Sequence, residues 1–179
     1  MISGGFLNPD SIIADLNIKP GSNIGDFGSG SGYFTLIMAR LVGENGVVTA
    51  VDVLQNKLDT IKTAAQAQGL FNVSYVRGNL ESENGSQLTA DSQDMIMLAN
   101  ILFQSQRKAE IVKEARRVLK PGGELVVIDW EPAAPFGPQD GGWKLSKEEA
   151  QNLVSQIGFN LVRGITVASN HWGLLFTKK

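Results

Sequence analysis

The sequence predicts an α/β protein built on a doubly wound, mostly parallel sheet. Three observations lead there. Short β-branched runs alternate with segments whose apolar residues recur at i, i+3, i+4 and i+7, the period of an amphipathic helix. Runs such as "MIML", Met95 to Leu98, are apolar on both faces, as strands covered on two sides must be. Glycine and proline punctuate the junctions between runs.

Each element follows from local chemistry. Asn8-Pro9 reads as an N-cap followed by proline at the first helical position, with Ile12, Ile13 and Leu16 as the buried stripe. "KPG" ends that helix, and "SNIGDFG" is the first strand. After a glycine loop, Phe34, Ile37, Met38 and Leu41 share one helical face, closed by Gly43. "VVTAVDV", Val47 to Val53, is the second strand, and Leu54, Leu58, Ile61 and Ala65 mark the helix after it, closed by Gly69. "NVSYVRG" is the third strand, followed by an irregular polar stretch, and "DMIMLANI" is the fourth. Ile111, Ala115, Val118 and Leu119 mark a helix stopped by "KPGG"; "ELVVIDW" is the fifth strand. Ser146 and Glu149 have capping-box spacing, ahead of a helix with Ala150, Leu153, Val154 and Ile157 on its apolar face. "FNLVRGITV" and "WGLLFTKK" read as two antiparallel strands joined by a short polar turn. No repeat, linker or low-complexity tract interrupts the pattern, so residues 1–179 read as one domain.

Composition narrows the function classes. A net charge of -2 gives no global basic footprint, so nucleic acid is not expected as a partner. The chain has no cysteine, which removes disulfides, thiolate catalysis and cysteine-ligated metal sites; no metal site is assigned, and the composition fits a cytoplasmic setting. The first residues lack the basic start and apolar core of a signal peptide. The longest nearly apolar run, "MIMLANILF", is too short to span a bilayer.

The loop "IGDFGSGSGYF", Ile24 to Phe34, lies between the first strand and its helix. Ligands of open α/β sheets bind outside the carboxyl ends of the strands, and a helix N-terminus there favours negative charge. A dinucleotide loop has the pattern G-x-G-x-x-G. Here Tyr33 stands where its third glycine belongs, and Asp26 precedes Gly28 by two residues. An acid at that place sits badly beside a pyrophosphate and suits a cationic group. Asp52, ending the second strand, is placed to accept hydrogen bonds from ribose hydroxyls, a feature that nicotinamide binders share.

D-x-G-x-G-x-G after the first strand, an acid ending the second, "GN" after the third and "EARRVLKPGGELVVIDW" around the fifth resemble the class I S-adenosylmethionine-dependent methyltransferases. The chain is most similar to the small branch related to the ubiquinone and menaquinone methylases. The resemblance covers nearly the whole chain and implies a Rossmann-like, seven-stranded sheet with the last strand inserted antiparallel. It implies that Asp26 and the backbone at Gly28 and Gly30 hold the methionine part of S-adenosylmethionine, that Ser29 and Gly32 of the same loop also bind the cofactor, that Asp52 holds the ribose, and that Val53 and Leu54 lie against adenine. Asn79 and Leu80 match the position that reads the adenine edge. The family more often has Asp at that Asn, although an Asn carbonyl can still accept from the adenine amine. Asn100, ending the fourth strand, is expected to face the methyl region.

Topology places Asn100 to Gln104, Asp129 to Trp143 and "ASNHWG" on one rim. His171, the only histidine, and Asp129 and Glu131 are therefore the candidates for contacting the methyl acceptor or serving as a base. Phe136 and Trp143 could form an aromatic lid. The expected reaction is methyl transfer from S-adenosylmethionine, which leaves S-adenosylhomocysteine, to a small molecule. A non-catalytic S-adenosylmethionine-binding module and an NAD-dependent oxidoreductase are the alternatives. There is little room for a separate substrate domain, so a shallow pocket, a large substrate or a second subunit in a homodimer would complete the site.

Overall fold

The computed structural model describes residues 7–134, 143–167 and 169–179. Strands β1 (Asn23–Phe27), β2 (Val47–Asp52), β3 (Val73–Arg77), β4 (Gln93–Ala99), β5 (Leu119–Trp130), β6 (Phe159–Gly164) and β7 (His171–Lys178) form one seven-stranded sheet in the order β3-β2-β1-β4-β5-β7-β6. β7 runs antiparallel to both its neighbours, β5 and β6. The sheet and its inserted last strand are as expected. The strand order reverses between β1 and β4, which opens a crevice at their carboxyl ends.

Helices cover both faces because the strands are apolar on both. In β5, Leu125 and Val127 face one cluster, with Ile111, Ala115, Ala150 and Val154 of α4 (Lys108–Val118) and α5 (Lys147–Gln156). Val126 and Ile128 face the other, with Ile12, Ile13, Met38 and Val42 of α1 (Pro9–Ala14) and α2 (Tyr33–Val42). This is the period-two alternation of a strand. α3 (Gln55–Ala67) packs Leu58 and Ile61 against Ala50 of β2.

The helix starts behave as their side chains dictate. Asn8 accepts from the Ser11 N–H at 3.2 Å with Pro9 beside it. Ser146 and Glu149 close a full capping box, the Glu149 carboxylate accepting from Ser146 N–H at 2.7 Å and Ser146 Oγ from Glu149 N–H at 3.2 Å.

One local expectation is corrected. Leu119 leaves the helix and opens β5, pairing with Gln93, so "KPGG" lies within the strand's span and the register shifts before Glu124 meets Met95. The basic residues of α4 differ in their surroundings. Lys108 is buried and donates to the Ser105 carbonyl. Arg117 donates to buried Glu114 at 2.8 Å and to the Leu88 carbonyl at 2.8 Å. Burial alone would raise the Glu114 carboxyl, but Arg117 and Ser86 hold it below its ordinary value. The same carboxylate accepts from Ser86 N–H at 3.0 Å, which ties the irregular stretch after β3 to α4.

Candidate functional site

Two cavities lie side by side at the carboxyl ends of β1, β2 and β4, and share Gly28, Gly30 and Gln104. One, of about 470 Å³, is bordered by Asp52, Val53, Leu54, Asn79, Leu80 and Ile101. The other, of about 380 Å³, is bordered by Asp26, Ser29, Tyr33, Asn100, Trp130 and His171. Both volumes fall in the range of small-ligand sites.

The glycine loop takes its shape from what surrounds it. Gly28 has φ +75°, and a Cβ there would stand 2.5 Å from Ile101 Cδ1, so only glycine lets the loop meet the segment after β4. Its N–H donates to the Val51 carbonyl at 2.8 Å. Gly32, at φ +78°, packs on Ile61 and serves as the N-cap of α2. It is not among the residues bordering the two cavities; it turns the chain into the helix.

Asp52 works on both sides of the larger cavity. One carboxylate oxygen accepts from Gly30 N–H at 3.0 Å and the other from Leu54 N–H at 2.9 Å. Each oxygen keeps a lone pair for a further donor. Val53 and Leu54 are each 52% exposed, an apolar shelf beside that carboxylate, and buried Leu80 faces the same space. Asn79 departs from its expectation: its side-chain carbonyl accepts from Glu81 N–H at 3.0 Å. That bond fixes the side chain in the turn, its oxygen keeps a second lone pair, and the residue borders the cavity.

In the smaller cavity Asp26 is 2% exposed. Burial pushes its carboxyl up to about 6, against the hydrogen bond it accepts from Thr35 Oγ1 at 2.5 Å and with a small contribution from Asp52. A buried acid of this kind gains from a cationic ligand. Asn100 sits at φ 56°, its N–H donating to the Ile128 carbonyl at 2.8 Å. Ser29 Oγ, Asn100 Oδ1 and both ring nitrogens of His171 are buried without a hydrogen-bond partner among the described residues. Orphaned polar atoms around one space are the mark of a polar ligand's place. The imidazole of His171 packs on Trp130 with ring centroids 4.0 Å apart and an interplanar angle of 37°. Burial lowers its pKa to about 4.

Asp129 and Glu131 are not among the described residues bordering either cavity. The Asp129 carboxylate accepts from Phe103 N–H at 3.0 Å and Trp130 N–H at 2.8 Å. Burial raises it to about 6, opposed by those backbone donors and Lys108. It braces the turn Leu102–Gln104 that carries Gln104 into the cleft. Glu131 N–H donates to the Asn170 carbonyl at 2.9 Å. Tyr33 is 71% exposed at the mouth of the smaller cavity, not packed on its helix. Of the two lid aromatics, Phe136 lies outside the described residues, and Trp143 is half exposed with its N–H on the Phe103 carbonyl at 2.8 Å.

Sequence reasoning missed Leu7, Pro9 and Phe34 on the smaller wall and Lys57, Glu81 and Ser105 on the larger. Pro9 and Phe34 read as a helix start and a helix stripe, which they also are. Only tertiary approach of α1 to the rim turns them into wall. Among the described residues no three His, Asp or Glu side chains gather as a metal site.

The donor set fits S-adenosylmethionine. A flat apolar shelf beside a carboxylate suits an adenosine, and a buried acid beside unpartnered oxygen acceptors suits the cationic methionine end. Comparison with known proteins agrees. A family model described as a methyltransferase domain matches residues 18–173. An arsenite methyltransferase of Aquipseudomonas alcaligenes is 35% identical over 113 residues, 61% of this chain and 33% of the relative. A ubiquinone/menaquinone biosynthesis C-methyltransferase (UbiE) of a Shewanella species is 33% identical over 113 residues, 63% of this chain and 44% of the relative. The chain thus spans less than half the length of these relatives. The crystal structure of a SAM-dependent methyltransferase from Aquifex aeolicus shares the fold at a TM-score of 0.86 and 23% identity, covering 97% of this chain and 90% of that one.

Proposed function

Because the chain belongs to the class I S-adenosylmethionine-dependent methyltransferase family, we propose that it moves the methyl group of S-adenosylmethionine to a small-molecule acceptor. The observation that carries the proposal is the pair of adjoining cavities, one with an adenosine-type lining and one with buried Asp26. Asp52 would hold the ribose hydroxyls, with Val53, Leu54 and Leu80 around the adenine and Asn79 at its edge. Asp26, the Gly28–Gly30 backbone, Ser29 and Asn100 would hold the methionine end. When bound, S-adenosylmethionine supplies a methyl group activated by a sulfonium. The protein's own share is alignment and exclusion of water: the half-buried wall of Trp130, His171 and Phe34 brings an acceptor to the open end of the smaller cavity. His171 is the residue we assign to the acceptor. Asp129 acts at one remove, through the turn that it braces.

A cavity of about 380 Å³ supports a small acceptor over nucleic acid, as does the acidic balance of the chain. Arsenite, the substrate in one relative's name, is a poor fit here, because a soft arsenic centre seeks thiolates and this chain has no cysteine. A cytoplasmic setting belongs to the same proposal; no helix among the described residues is long and apolar enough to cross a membrane. A second reading, a module that binds the cofactor and transfers nothing, is favoured by one feature, Asn79 where the family more often has Asp. An NAD-dependent oxidoreductase is disfavoured by Asp26 buried under the glycine loop.

Calorimetric titration with S-adenosylhomocysteine tests the first half of the proposal; silence at millimolar ligand would refute it. Incubation with methyl-labelled S-adenosylmethionine and a metabolite extract tests the second. A labelled product establishes transfer, and binding without any labelled product favours the module.

A further inference from the structure

Apart from Ile111 of α4, four segments border the larger cavity: the glycine loop, the end of β2 with the start of α3, the loop after β3 and the segment after β4. The first two are joined directly, through Gly30 N–H on the Asp52 carboxylate at 3.0 Å and Gly28 N–H on the Val51 carbonyl at 2.8 Å. The other two follow strands that are not neighbours. β2 and β1 stand between β3 and β4, which puts those two strands three spacings, or about 14 Å, apart. No ladder ties the loops that follow them. A side-chain bond does: Ser105 Oγ, after β4, donates to Glu81 Oε1, after β3, at 2.5 Å. Both residues border the cavity.

Each end of this bond is set by its own surroundings. Glu81 N–H donates to Asn79 Oδ1 and Ser82 N–H to the Asn79 carbonyl, each at 3.0 Å. The loop then doubles back so closely that a Cβ on Gly85 would stand 1.8 Å from the Asn79 carbonyl oxygen. On the other side Ser105 is buried; its hydroxyl accepts from Arg107 N–H at 2.8 Å, and its carbonyl accepts from Lys108 Nζ. A hydrogen bond to a carboxylate is stronger than one between neutral groups, and pre-set partners lose little freedom in making it. Beneath it, Leu80 shares a core cluster with Leu102 and Ile111. Cutting the polar bond therefore loosens the border of the cavity while the apolar packing still holds the two segments together.

We infer that the Glu81–Ser105 hydrogen bond is a clasp that sets how long the cofactor stays in the larger cavity. Glu81 and Ser105 are positioning residues: through each other they keep Leu80 of one segment and Ile101 of the other in place around the adenosine part. The inference rests on the proposed reading of this cavity as the adenosine site. A clasp joins two borders of a site, so its loss shows chiefly in how fast the ligand leaves. An arriving ligand still meets the same Asp52 carboxylate and the same shelf of Val53 and Leu54. The two residues also act as one unit, because either of them alone has nothing to hold. A bond that merely props the fold would lower stability and leave the dissociation rate where it was.

Surface plasmon resonance on the immobilised full chain reads association and dissociation of S-adenosylhomocysteine separately. Glu81→Ala and Ser105→Ala should each raise the dissociation rate about tenfold and leave the association rate within about twofold. The double variant should release the ligand no faster than either single one. Glu81→Gln, which keeps an acceptor for the Ser105 hydroxyl, should recover most of the loss. Dissociation rates unchanged in both alanine variants, or effects that multiply in the double variant, would overturn the clasp. Hydrogen–deuterium exchange adds a measurement that needs no ligand: Glu81→Ala should speed exchange in residues 101–107, and Ser105→Ala in residues 78–82. Silence of the wild type toward S-adenosylhomocysteine would remove the proposed function, and exchange alone would then judge the clasp. Loosening of the opposite segment keeps it, and unchanged exchange overturns it.

Discussion

Replacing Asp26 with asparagine should make the protein more stable and its site worse. Burial lifts the Asp26 carboxyl from 3.8 to about 6, in spite of the hydrogen bonds from Thr35. An acid whose folded pKa lies above its unfolded value weakens the fold wherever it is ionised. That penalty is complete above the folded value and is lost as pH falls toward the unfolded one, where both states hold the proton. The interval from 3.8 to about 6 corresponds to about 3 kcal/mol at pH 8. The amide must itself be buried, and the Thr35 hydroxyl then donates to a neutral acceptor, so about 1–2 kcal/mol of gain should remain. For a domain of this size that is a rise in Tm of roughly 2–8 °C. Paired urea or thermal melts of the wild type and Asp26→Asn at pH 8 and pH 4.5 check it. The advantage should shrink by about 2 kcal/mol at the lower pH. Affinity for S-adenosylhomocysteine should fall at least about tenfold at pH 8, through loss of the charge. A variant no more stable at pH 8, with a difference that does not change with pH, would refute the picture of a desolvated acid. An unchanged dissociation constant would refute its role toward the ligand.

Asp52→Ala removes the acceptor for both Gly30 and Leu54 N–H and should weaken S-adenosylhomocysteine by about 1–3 kcal/mol in calorimetry, with an unchanged constant excluding the ribose role. Gly28→Ala places a Cβ 2.5 Å from Ile101 at positive φ and should cost roughly 1–3 kcal/mol in urea denaturation. Ser146→Ala breaks the capping box of α5 and should cost about 1 kcal/mol in the same assay.

The elements were legible because their signals are local. Alternation in "ELVVIDW", the stripe from Phe34 to Leu41, and the caps at Asn8 and Ser146 each report on a few neighbouring residues. The cofactor half of the site was legible for the same reason, since a glycine loop and an acid at a strand end are short patterns. What escaped depends on distance in the chain. Asp129 looks like any acid at a strand's end until the turn Leu102–Gln104 folds back and claims its carboxylate. Gly32 reads like its fellow glycines until Ile61 of α3 is found beneath it. Asn79 seemed free to read a base, and its own turn uses the carbonyl first. His171 is the converse case: topology put it on the rim, and only the packed structure shows its nitrogens without partners among the described residues.

The place of β7 has a consequence for how the protein is made. It lies between β5 and β6 and is synthesised after both, so during translation those two strands wait with unpaired edges until the last of the seven arrives. Pairing across long chain separations is slow, and open strand edges invite aggregation. β7 begins at His171, so the nascent chain can shape the cofactor crevice of β1, β2 and β4 before His171 joins Trp130 and Phe34 beside it. A stalled or clipped chain lacking β7 would then keep much of its cofactor site while exposing the apolar flank of β5, a species for chaperones or proteases to recognise.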